Sequence, residues 1–355
     1  MIMFQTIWRN ISMKKLLNTL YILDNDKYLS LDGENIVINQ DKSELGRVPL
    51  HNIESIITAG YTGVSPALMG KCAHDHIQLI FISRSGRFLA RVSGESNGNV
   101  LLRREQYRIA DNTNEAIKYG KNIIAAKLYN ASGVLNRCVR DHALRVDVDQ
   151  LNKVMLALRY NAKLALKTND TDTLRGIEGE SANQYFAVFD QLILQNKEDF
   201  KFVKRTKRPP LDNVNALLSF AYTLLAGMYT SALDCVGLDP YVGFVHTDRP
   251  GRESLALDLI EELRAPFADR FVLTLINNRV VTKDDFELRE DGAVLLTDGG
   301  KRKFIDAWQK KKKETIMHPY LKEKVEWGMI PYSQALLLSR TLRGDLEQYP
   351  PFLWK

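Results

Sequence analysis

Residues 241–264 bring a histidine, several carboxylates and several arginines into one short stretch, and these residue types bind metal ions or phosphates. His246 ends a short apolar run, and a loop of Gly, Pro and Arg follows it. The next residues are predicted to form an amphipathic helix that carries Asp258, Glu261 and Glu262. Residues three or four apart are neighbours on a helix, so these carboxylates repel one another unless a cation lies between them.

If His246 folds back over this helix, an imidazole nitrogen meets one or two of the carboxylates. Such a ligand set suits Mn²⁺ or Mg²⁺ better than a structural zinc ion. The simpler explanation is that Arg252 and Arg264 pair with these acids, because most charged clusters on helices are solvated surfaces. A metal site would also need a further protein ligand from another part of the chain.

The stretch TDTLRGIEGESANQYFAVFDQLIL contains a candidate for that ligand. Gly176 and Gly179 flank Ile177 and Glu178 inside an otherwise helical pattern. Each of these glycines destabilises a helix by roughly 1 kcal/mol relative to alanine, and glycines kept there commonly allow something to approach the backbone. Glu178 is therefore well placed to meet a metal ion or a phosphate. A helix break with a surface glutamate explains the pattern equally well.

The elements that must position these residues fall into two regions of different periodicity. Between residues 18 and 92, hydrophobic residues mostly alternate in seven short runs, with turn signals such as Asp32-Gly33 between them. A short helix is predicted to begin at Ser65-Pro66. These features predict a small β domain.

The remainder of the chain is mainly helical in pattern. Long amphipathic helices are predicted over residues 113–142 and 146–168, and a strongly apolar helix that follows a cap at Asp212 is predicted to be the core of this region. The clearest later strand signal is a hairpin that turns at Asp291-Gly292. The predicted fold class is α+β, with a small N-terminal β domain followed by a larger, mainly α-helical domain.

The predicted boundaries follow these changes of pattern: 1–12 an extension or tag, 13–98 the β domain, 99–112 a linker, 113–345 the helical domain that carries the candidate ligands, and 346–355 a C-terminal tail. The first residues are set apart because Met13 and the residues after it look like the better start.

Composition fits a globular protein of the cytoplasm. The chain has 355 residues, 45% of them hydrophobic, and we find no run that approaches the ~18 to 20 apolar residues of a membrane span. Cys72, Cys138 and Cys235 lie far apart and form neither a disulfide framework nor a zinc motif, which is typical of a reducing compartment. We expect all three to pack in cores.

The charge distribution favours a polyanionic partner. The net charge is only +6, but residues 201–208 carry five cations and no acid, and residues 301–313 carry seven cations against Asp306. Residues 84–104 carry five arginines against one acid. A single run of this kind is usually a solvated surface, whereas three in one chain favour nucleic acid.

Four motifs in order resemble the CRISPR-associated integrase, the larger of the two universal CRISPR adaptation proteins: LRGIEGESANQYF, RPPLDNVNALLSFAYTLL, GLDPYVGFVH and SLALDLIEELR. The resemblance covers Met13 to about Arg343. The opening KKLLNTLYIL also resembles the branch of this family that is found with a type I interference system.

The resemblance implies that Glu178, His246 and Glu261 hold a divalent metal, Mn²⁺ or Mg²⁺, and that Asp258 belongs to the same catalytic site. Helical spacing cannot choose between Glu261 and Glu262, and only the family pattern favours Glu261. His246 could instead act as a general acid or base.

The resemblance further implies a metal-dependent DNA integrase and endonuclease of prokaryotic antiviral defence, which hydrolyses or transfers phosphodiester bonds. It would insert short duplex spacers into the CRISPR array by transesterification. Its partners would be double-stranded DNA, the smaller universal adaptation protein and a second copy of the chain, bound largely through the β domain. The alternative is a non-catalytic nucleic-acid clamp whose acids merely neutralise local arginines.

Five basic residues are assigned to DNA because they lie close in sequence to the proposed metal ligands: Lys204, Arg205, Lys207, Arg208 and Arg252. Lysine and arginine contacts to phosphates hold DNA without reading its bases, so they suit a protein that must accept many sequences.

Overall fold

The computed structural model describes residues 19–22, 26–41, 43–53, 55–59, 63–75, 77–82, 88–92 and 100–354, so the proposed extension at 1–12 lies outside the described residues. The chain divides into two compact units, residues 1–82 with 89–94 and residues 83–88 with 95–355. The first is a small β unit and the second is larger and mainly helical, which confirms the predicted α+β class.

All seven predicted strands of the first unit are present: β1 (Thr19–Ile22), β2 (Lys27–Asp32), β3 (Asn35–Gln40), β4 (Ser43–Pro49), β5 (Ser55–Ala59), β6 (Gln78–Ile82) and β7 (Phe88–Val92). Strands β2, β3 and β4 form an antiparallel sheet. The other sheet has the order β1-β5-β6-β7, with β1, β5 and β6 parallel to one another. Gly33 turns β2 into β3 at a φ of +57°, a conformation that favours glycine.

Helix α1 (Pro66–His74) begins where the Ser65-Pro66 signal predicts it, and the Ser65 side chain accepts a hydrogen bond from the Leu68 backbone N–H. Leu68 and Cys72 face inward from this helix. They share one core with apolar residues of both sheets, including Leu29, Ile36 and Ile56. The alternation of the strands therefore buries one continuous core in this unit.

The helices of the second unit are α2 (Val100–Asp111), α3 (Thr113–His142), α4 (Val148–Lys167), α5 (Thr171–Ala187), α6 (Asn213–Val236), α7 (Ser254–Leu263), α8 (Arg270–Asn277), α9 (Asp298–Lys313) and α10 (Ile330–Leu342). A π-helical segment, Arg264–Asp269, joins α7 to α8. Helix α3 packs along α4 and also contacts α5 and α7, so it touches both helices that carry candidate carboxylates. The two long helices predicted from periodicity are α3 and α4.

Short strands complete this unit. Strands β8 (Phe286–Leu288) and β9 (Val294–Leu296) form the predicted hairpin, with Gly292 at a φ of +79°. Strands β10 (Thr315–Met317) and β11 (Lys324–Glu326) pair antiparallel and were not predicted, because three-residue strands leave little periodicity to detect. Short 3-10 turns lie at Leu50–Asn52 in the first unit and at Ala143–Arg145, Phe189–Leu192, Lys283–Asp285 and Trp327–Met329 in the second.

Helix α6 is the predicted core helix. Asp212 caps its start by accepting a hydrogen bond of 2.7 Å from the Asn215 backbone N–H, and Gly237 ends it at a φ of +82°. In length and apolar composition α6 could cross a membrane, so the expectation that no run approaches a span is wrong. However, 67% of its most apolar window is buried in the protein, as in a core helix. Cys235 near its end is exposed, whereas the other two cysteines are buried as expected.

The proposed linker and tail both carry ordered structure. The linker range 99–112 contains α2, whose fully buried Gln106 donates hydrogen bonds of 2.8 and 2.9 Å to the backbone oxygens of Asp239 and Val242. In the tail, Tyr349, Phe352 and Trp354 are buried. The hydrophobic pattern did not predict helix α2, because its surface is polar, or the buried tail, because it is short.

Candidate metal and nucleic-acid site

The loop between α6 and α7 folds His246 back over α7, as the sequence predicts. Its Nδ1 lies 2.6 Å from an oxygen of Asp258, which is fully buried. The same carboxylate accepts hydrogen bonds from the backbone N–H groups of Phe244, Val245 and His246 at 2.6 to 3.0 Å. A carboxylate that accepts a hydrogen bond from the Nδ1–H group fixes the tautomer and orientation of the ring and leaves Nε2 as the nitrogen able to ligate.

This arrangement depends on Gly243. A β-carbon there would lie 2.8 Å from the Asp258 carboxylate and 2.9 Å from Ser254, so a larger residue would displace the loop from α7. Gln106 fixes the start of the same loop through its hydrogen bonds to Asp239 and Val242. Asp258 therefore positions His246 and the loop, and its oxygens are already occupied.

Glu178 on α5 and Glu261 on α7 meet at the side chain of Lys127 on α3. The Lys127 ammonium forms an ion pair with Oε1 of Glu178 and lies 2.8 Å from Oε2 of Glu261. That Glu261 oxygen is buried and accepts no hydrogen bond of good geometry from the described residues. One ammonium group thus occupies the position on which both carboxylates converge. Sequence reasoning missed Lys127, because nothing in α3 marks it as part of a motif.

Glu261 remains ionised although it is buried. Burial would raise its pKa, but Arg264 and Lys127 lower it to about 2. Arg264 lies 2.6 Å from the other Glu261 oxygen, so the simpler explanation, in which Arg264 pairs with an acid of this helix, is correct for Glu261. His246 is close enough to lower this pKa further.

Glu262 faces a different environment from Glu261. It accepts hydrogen bonds of 2.8 Å from the Gln334 side chain, 2.7 Å from the Tyr349 hydroxyl and 2.8 Å from the Phe352 backbone N–H. Burial raises its pKa to about 7, and these three donors oppose that rise. On helix α7, Glu261 therefore points toward Glu178, and Glu262 holds the C-terminal tail. Helical spacing alone could not tell which of the two glutamates faces Glu178.

The donor set fits a divalent ion in chemistry. Across the part of the chain that the structure describes, no three His, Cys, Asp or Glu side chains form a metal-binding group. Among the described residues, the Lys127 ammonium lies between Glu178 and Glu261, and His246 is hydrogen-bonded to Asp258 rather than to either glutamate. Two carboxylates that converge on one cation are donors that Mn²⁺ and Mg²⁺ accept, and an imidazole suits Mn²⁺ as well.

The two glycines near Glu178 are not packed against other described residues. Helix α5 runs through Gly176 and Gly179 without a break, and a β-carbon at either position would meet no heavy atom within 4 Å. The described residues therefore do not explain these glycines by packing. Because successive residues are rotated by about 100°, the glycines lie on a different face of α5 from Glu178.

Arg205 differs from its predicted role as a DNA contact. Its guanidinium donates hydrogen bonds of 2.7 Å to Asn215 and 3.1 Å to Ser219, and it lies 5.3 Å above the Tyr222 ring. Burial lowers its pKa. The Arg205 guanidinium therefore holds the basic loop against α6.

Lys207 is the member of the basic loop that faces the site. Burial lowers the pKa of its ammonium, Arg264 and Arg205 lower it further, and Glu261 opposes them. Lys207 is exposed as a residue, although neighbouring groups shield its ammonium from part of the solvent. The remaining predicted DNA contacts are two exposed residues and one half-buried residue: Lys204, Arg208 and Arg252.

The cationic run at 301–313 forms much of α9 and is partly used by the fold. Lys301 and Lys312 are buried, and Lys303 lies 2.8 Å from Asp285. This run is therefore less available to a polyanion than its composition indicates.

Arg264 is held on its other side by a buried network. Its guanidinium lies 4.4 Å above the ring of Tyr222, whose hydroxyl donates a hydrogen bond of 2.5 Å to Asp269. Tyr185 donates to the other oxygen of Asp269 at 3.1 Å. Burial raises the pKa of Asp269 to about 6, while Tyr222, Arg264, Tyr185 and Arg205 oppose the rise. The network supports the cation that pairs with Glu261.

Comparison with known proteins agrees with the resemblance at the level of the family. The sequence matches the family described as CRISPR associated protein Cas1 over residues 20–310. A protein of Rhodospirillum rubrum named CRISPR-associated endonuclease Cas1 2 is 48% identical over 351 residues, which cover 97% of this chain and 100% of that protein.

Solved structures share the fold. A casposase bound to an integration product matches with a TM-score of 0.79 and 22% identity, over 94% of this chain and 92% of that chain. A chain of a Cas6-RT-Cas1–Cas2 complex matches with a TM-score of 0.79 and 22% identity over 95% of this chain, which spans only 36% of that longer chain.

The Asp269 network predicts a pH dependence of stability. The folded-state pKa of about 6 lies above the ordinary aspartate pKa of 3.8, so the protonated form stabilises the fold at low pH and this contribution is lost as the pH rises through 6. In the wild type, we expect this titration to lower the free energy of unfolding by on the order of 1–3 kcal/mol as the pH rises. Asp269→Asn should lack this pH-dependent loss. Urea unfolding between pH 4 and 8 measures it.

The matched control is Asp172→Asn, since Asp172 is 89% exposed and pairs only with Arg175 at the surface. It should keep the wild-type pH profile. If Asp269→Asn and the wild type give parallel profiles, Asp269 does not titrate as described.

Proposed function

The chain belongs to the Cas1 family, and we propose that it is a metal-dependent DNA endonuclease and integrase of CRISPR adaptation. One observation carries this proposal: Glu178 and Glu261, from different helices, converge on a single cation, and His246 lies within electrostatic range of Glu261. The endonuclease name of the R. rubrum relative and the integration product of the casposase support it.

The residues that would hold the ion are Glu178, Glu261 and His246. Mn²⁺ or Mg²⁺ bound there supplies Lewis acidity, which polarises a phosphoryl oxygen and stabilises the charge of the transition state. A divalent ion doubles the positive charge that faces the two carboxylates, so it competes with the Lys127 ammonium. A mixed imidazole and carboxylate set tolerates Mn²⁺ better than an oxygen cage suited to Mg²⁺.

Asp258 would set the protonation of His246. While Nδ1 donates to the buried carboxylate, the Nε2 lone pair is available either to ligate the ion or to exchange a proton with the DNA. Both roles of His246 therefore need the same tautomer and the same partner.

The cations around Glu261 would hold the reacting phosphate. Arg264 is committed to Glu261, whereas Lys207 presents an ammonium of lowered pKa close to the site. Displacement of Lys127 by the ion would give the phosphate a second ammonium group.

The reaction would be transesterification. A 3′-hydroxyl of a short duplex would attack a phosphodiester of the repeat. The new P–O bond forms, the P–O3′ bond of the repeat strand breaks, and the leaving 3′-oxygen takes up the proton that the attacking hydroxyl gives up. When water replaces the 3′-hydroxyl, the same arrangement cleaves the strand, which is endonuclease activity.

The wider assembly is also proposed. The name of the Cas6-RT-Cas1–Cas2 complex supports the smaller universal adaptation protein as a partner, and the family supports a homodimer formed through the β domain, in a prokaryotic cytoplasm. The opening KKLLNTLYIL supports the type I branch.

A non-catalytic clamp is the second candidate, because Lys127 and Arg264 already neutralise Glu178 and Glu261. A clamp would bind DNA without any need for Mn²⁺. Joining that depends on the metal separates the two.

We predict that Glu178→Gln abolishes Mn²⁺-dependent joining of a labelled duplex to a plasmid that carries the repeat. Gln keeps the shape of the side chain but removes the charge that binds metal. The joining rate should therefore fall by more than the roughly 100-fold that is typical when a residue hydrogen-bonded to a metal ligand is changed. Fold and DNA affinity should remain.

The matched control is Glu180→Gln on the same helix, where Glu180 is exposed and only accepts a hydrogen bond from Gln184. It should join DNA at the wild-type rate. Equal rates for both variants would contradict the ligand assignment.

A second prediction concerns positioning. Asp258→Asn should raise the Mn²⁺ concentration for half-maximal joining about 10–100-fold, because an amide cannot hold both the backbone N–H groups and the Nδ1 proton of His246. High Mn²⁺ should restore part of the rate. Asp248→Asn changes an exposed acid of the same loop and should leave the Mn²⁺ requirement unchanged. An unchanged requirement in Asp258→Asn would exclude this positioning role.

A further inference from the structure

A cationic pocket of about 120 Å³ opens between α3, α4 and the C-terminal tail. Among the residues that line it are Arg137, Arg140, Arg159, Asn136 and Trp354. Successive residues of a helix are rotated by about 100°, so Asn136 and Arg140 lie on the side of α3 opposite Lys127. The pocket is therefore separate from the site formed by Glu178 and Glu261.

Positive charge exceeds negative charge in this pocket. Arg137, Arg140 and Arg159 line it, and the guanidinium of Arg270 lies 4.5 Å above the Trp354 ring that forms one wall. Asp141 lies 3.3 Å from Arg137 and 2.8 Å from Arg140. Burial lowers the pKa of Arg270 to about 10, and repulsion from Arg137 contributes, so these like charges are not fully compensated. For Arg159, the described structure gives one hydrogen bond, to Ser132 at 3.4 Å.

The wall of the pocket is built into the core. The Trp354 backbone N–H donates a hydrogen bond of 2.8 Å to the buried Asn130, which also donates to the backbone oxygens of Glu262 and Phe352. Gly133 lets the Trp354 ring lie against α3, since a β-carbon there would be 3.3 Å from it. A wall held in this way needs little ordering when a ligand binds.

We propose that this pocket binds a phosphate group of a nucleic-acid strand, as a second contact site apart from the metal site. The planar guanidinium fork matches phosphate oxygens in pairs. The volume suits a phosphate and is well below that of pockets for drug-sized ligands. Tyr129, which is 36% exposed, lines the pocket with the arginines and can stack on a base or a sugar.

An acidic segment of a partner protein would meet the same charges. The combination of arginines with an exposed aromatic ring favours nucleic acid, because stacking adds binding energy that a carboxylate does not use. The inference rests on the proposed function only in taking DNA as the ligand, and it uses none of the proposed catalytic residues.

The test is the affinity of the full chain for DNA without metal. Arg137→Ala/Arg159→Ala is compared with the wild type by fluorescence anisotropy in EDTA, on a duplex and on one of its single strands, from 50 to 300 mM salt. Loss of one phosphate contact should reduce the slope of log affinity against log salt by about 0.9 on the duplex or about 0.7 on the single strand. A change of slope on the duplex or on the single strand shows which of these two DNA forms supplies the phosphate.

Two further variants make the test independent of folding. Arg108→Ala/Arg289→Ala removes the same charge from exposed arginines paired elsewhere, with Glu105 and Glu287, and should keep the wild-type slope. Asp141→Asn removes an acid that pairs with Arg137 and Arg140, so it should tighten DNA binding.

Wild-type slopes in Arg137→Ala/Arg159→Ala together with no gain in Asp141→Asn would overturn the proposal. So would loss of binding to the smaller adaptation protein with DNA affinity unchanged. In each of these cases Mn²⁺-dependent joining by the wild type would still support the proposed function. Loss of that joining in Glu178→Gln tests the function separately.

Discussion

The ion cluster of Lys127, Glu178, Glu261 and Arg264 is the interaction on which the helical unit depends. Glu261 is buried, and a buried carboxylate is costly unless cations face it. Lys127 on α3 joins the carboxylates of α5 and α7, so three helices meet at one ammonium group. Removal of a buried partner such as Glu261 typically costs about 3–5 kcal/mol, whereas the side chain of Glu178 is 32% exposed and its loss costs less. The charges that hold the fold together are also those that a divalent ion would use.

Helix α7 carries three carboxylates with three different tasks. Asp258 holds the histidine loop, Glu261 faces the ion cluster, and Glu262 binds the C-terminal tail. Asn130 connects the backbone of Glu262 with Phe352 and Trp354, so the wall of the cationic pocket is tied to the same helix. A shift of α7 would therefore move the histidine, the proposed metal ligands and the proposed second DNA contact together.

The local features were predictable from the sequence, and the long-range contacts were not. Alternation and helical periodicity predicted the strands of the β unit and the bounds of α3, and the short stretch after His246 suggested that the imidazole could meet a carboxylate of the next helix, as it does at Asp258. Lys127 could not be predicted, because it lies 51 residues before Glu178 in a helix with no motif. Arg205 was predicted to contact DNA because it belongs to a cationic run. The sequence of such a run does not show whether one arginine faces solvent or, like Arg205, an aromatic ring.

The central claim is that a divalent ion replaces the Lys127 ammonium between the two carboxylates. Anomalous diffraction from crystals grown with Mn²⁺ tests it most directly. The account predicts one manganese peak bound by Glu178, Glu261 and Nε2 of His246, with the Lys127 side chain displaced. Crystals soaked at a Mn²⁺ concentration that saturates joining, yet with no peak there and Lys127 still paired with both glutamates, would contradict it.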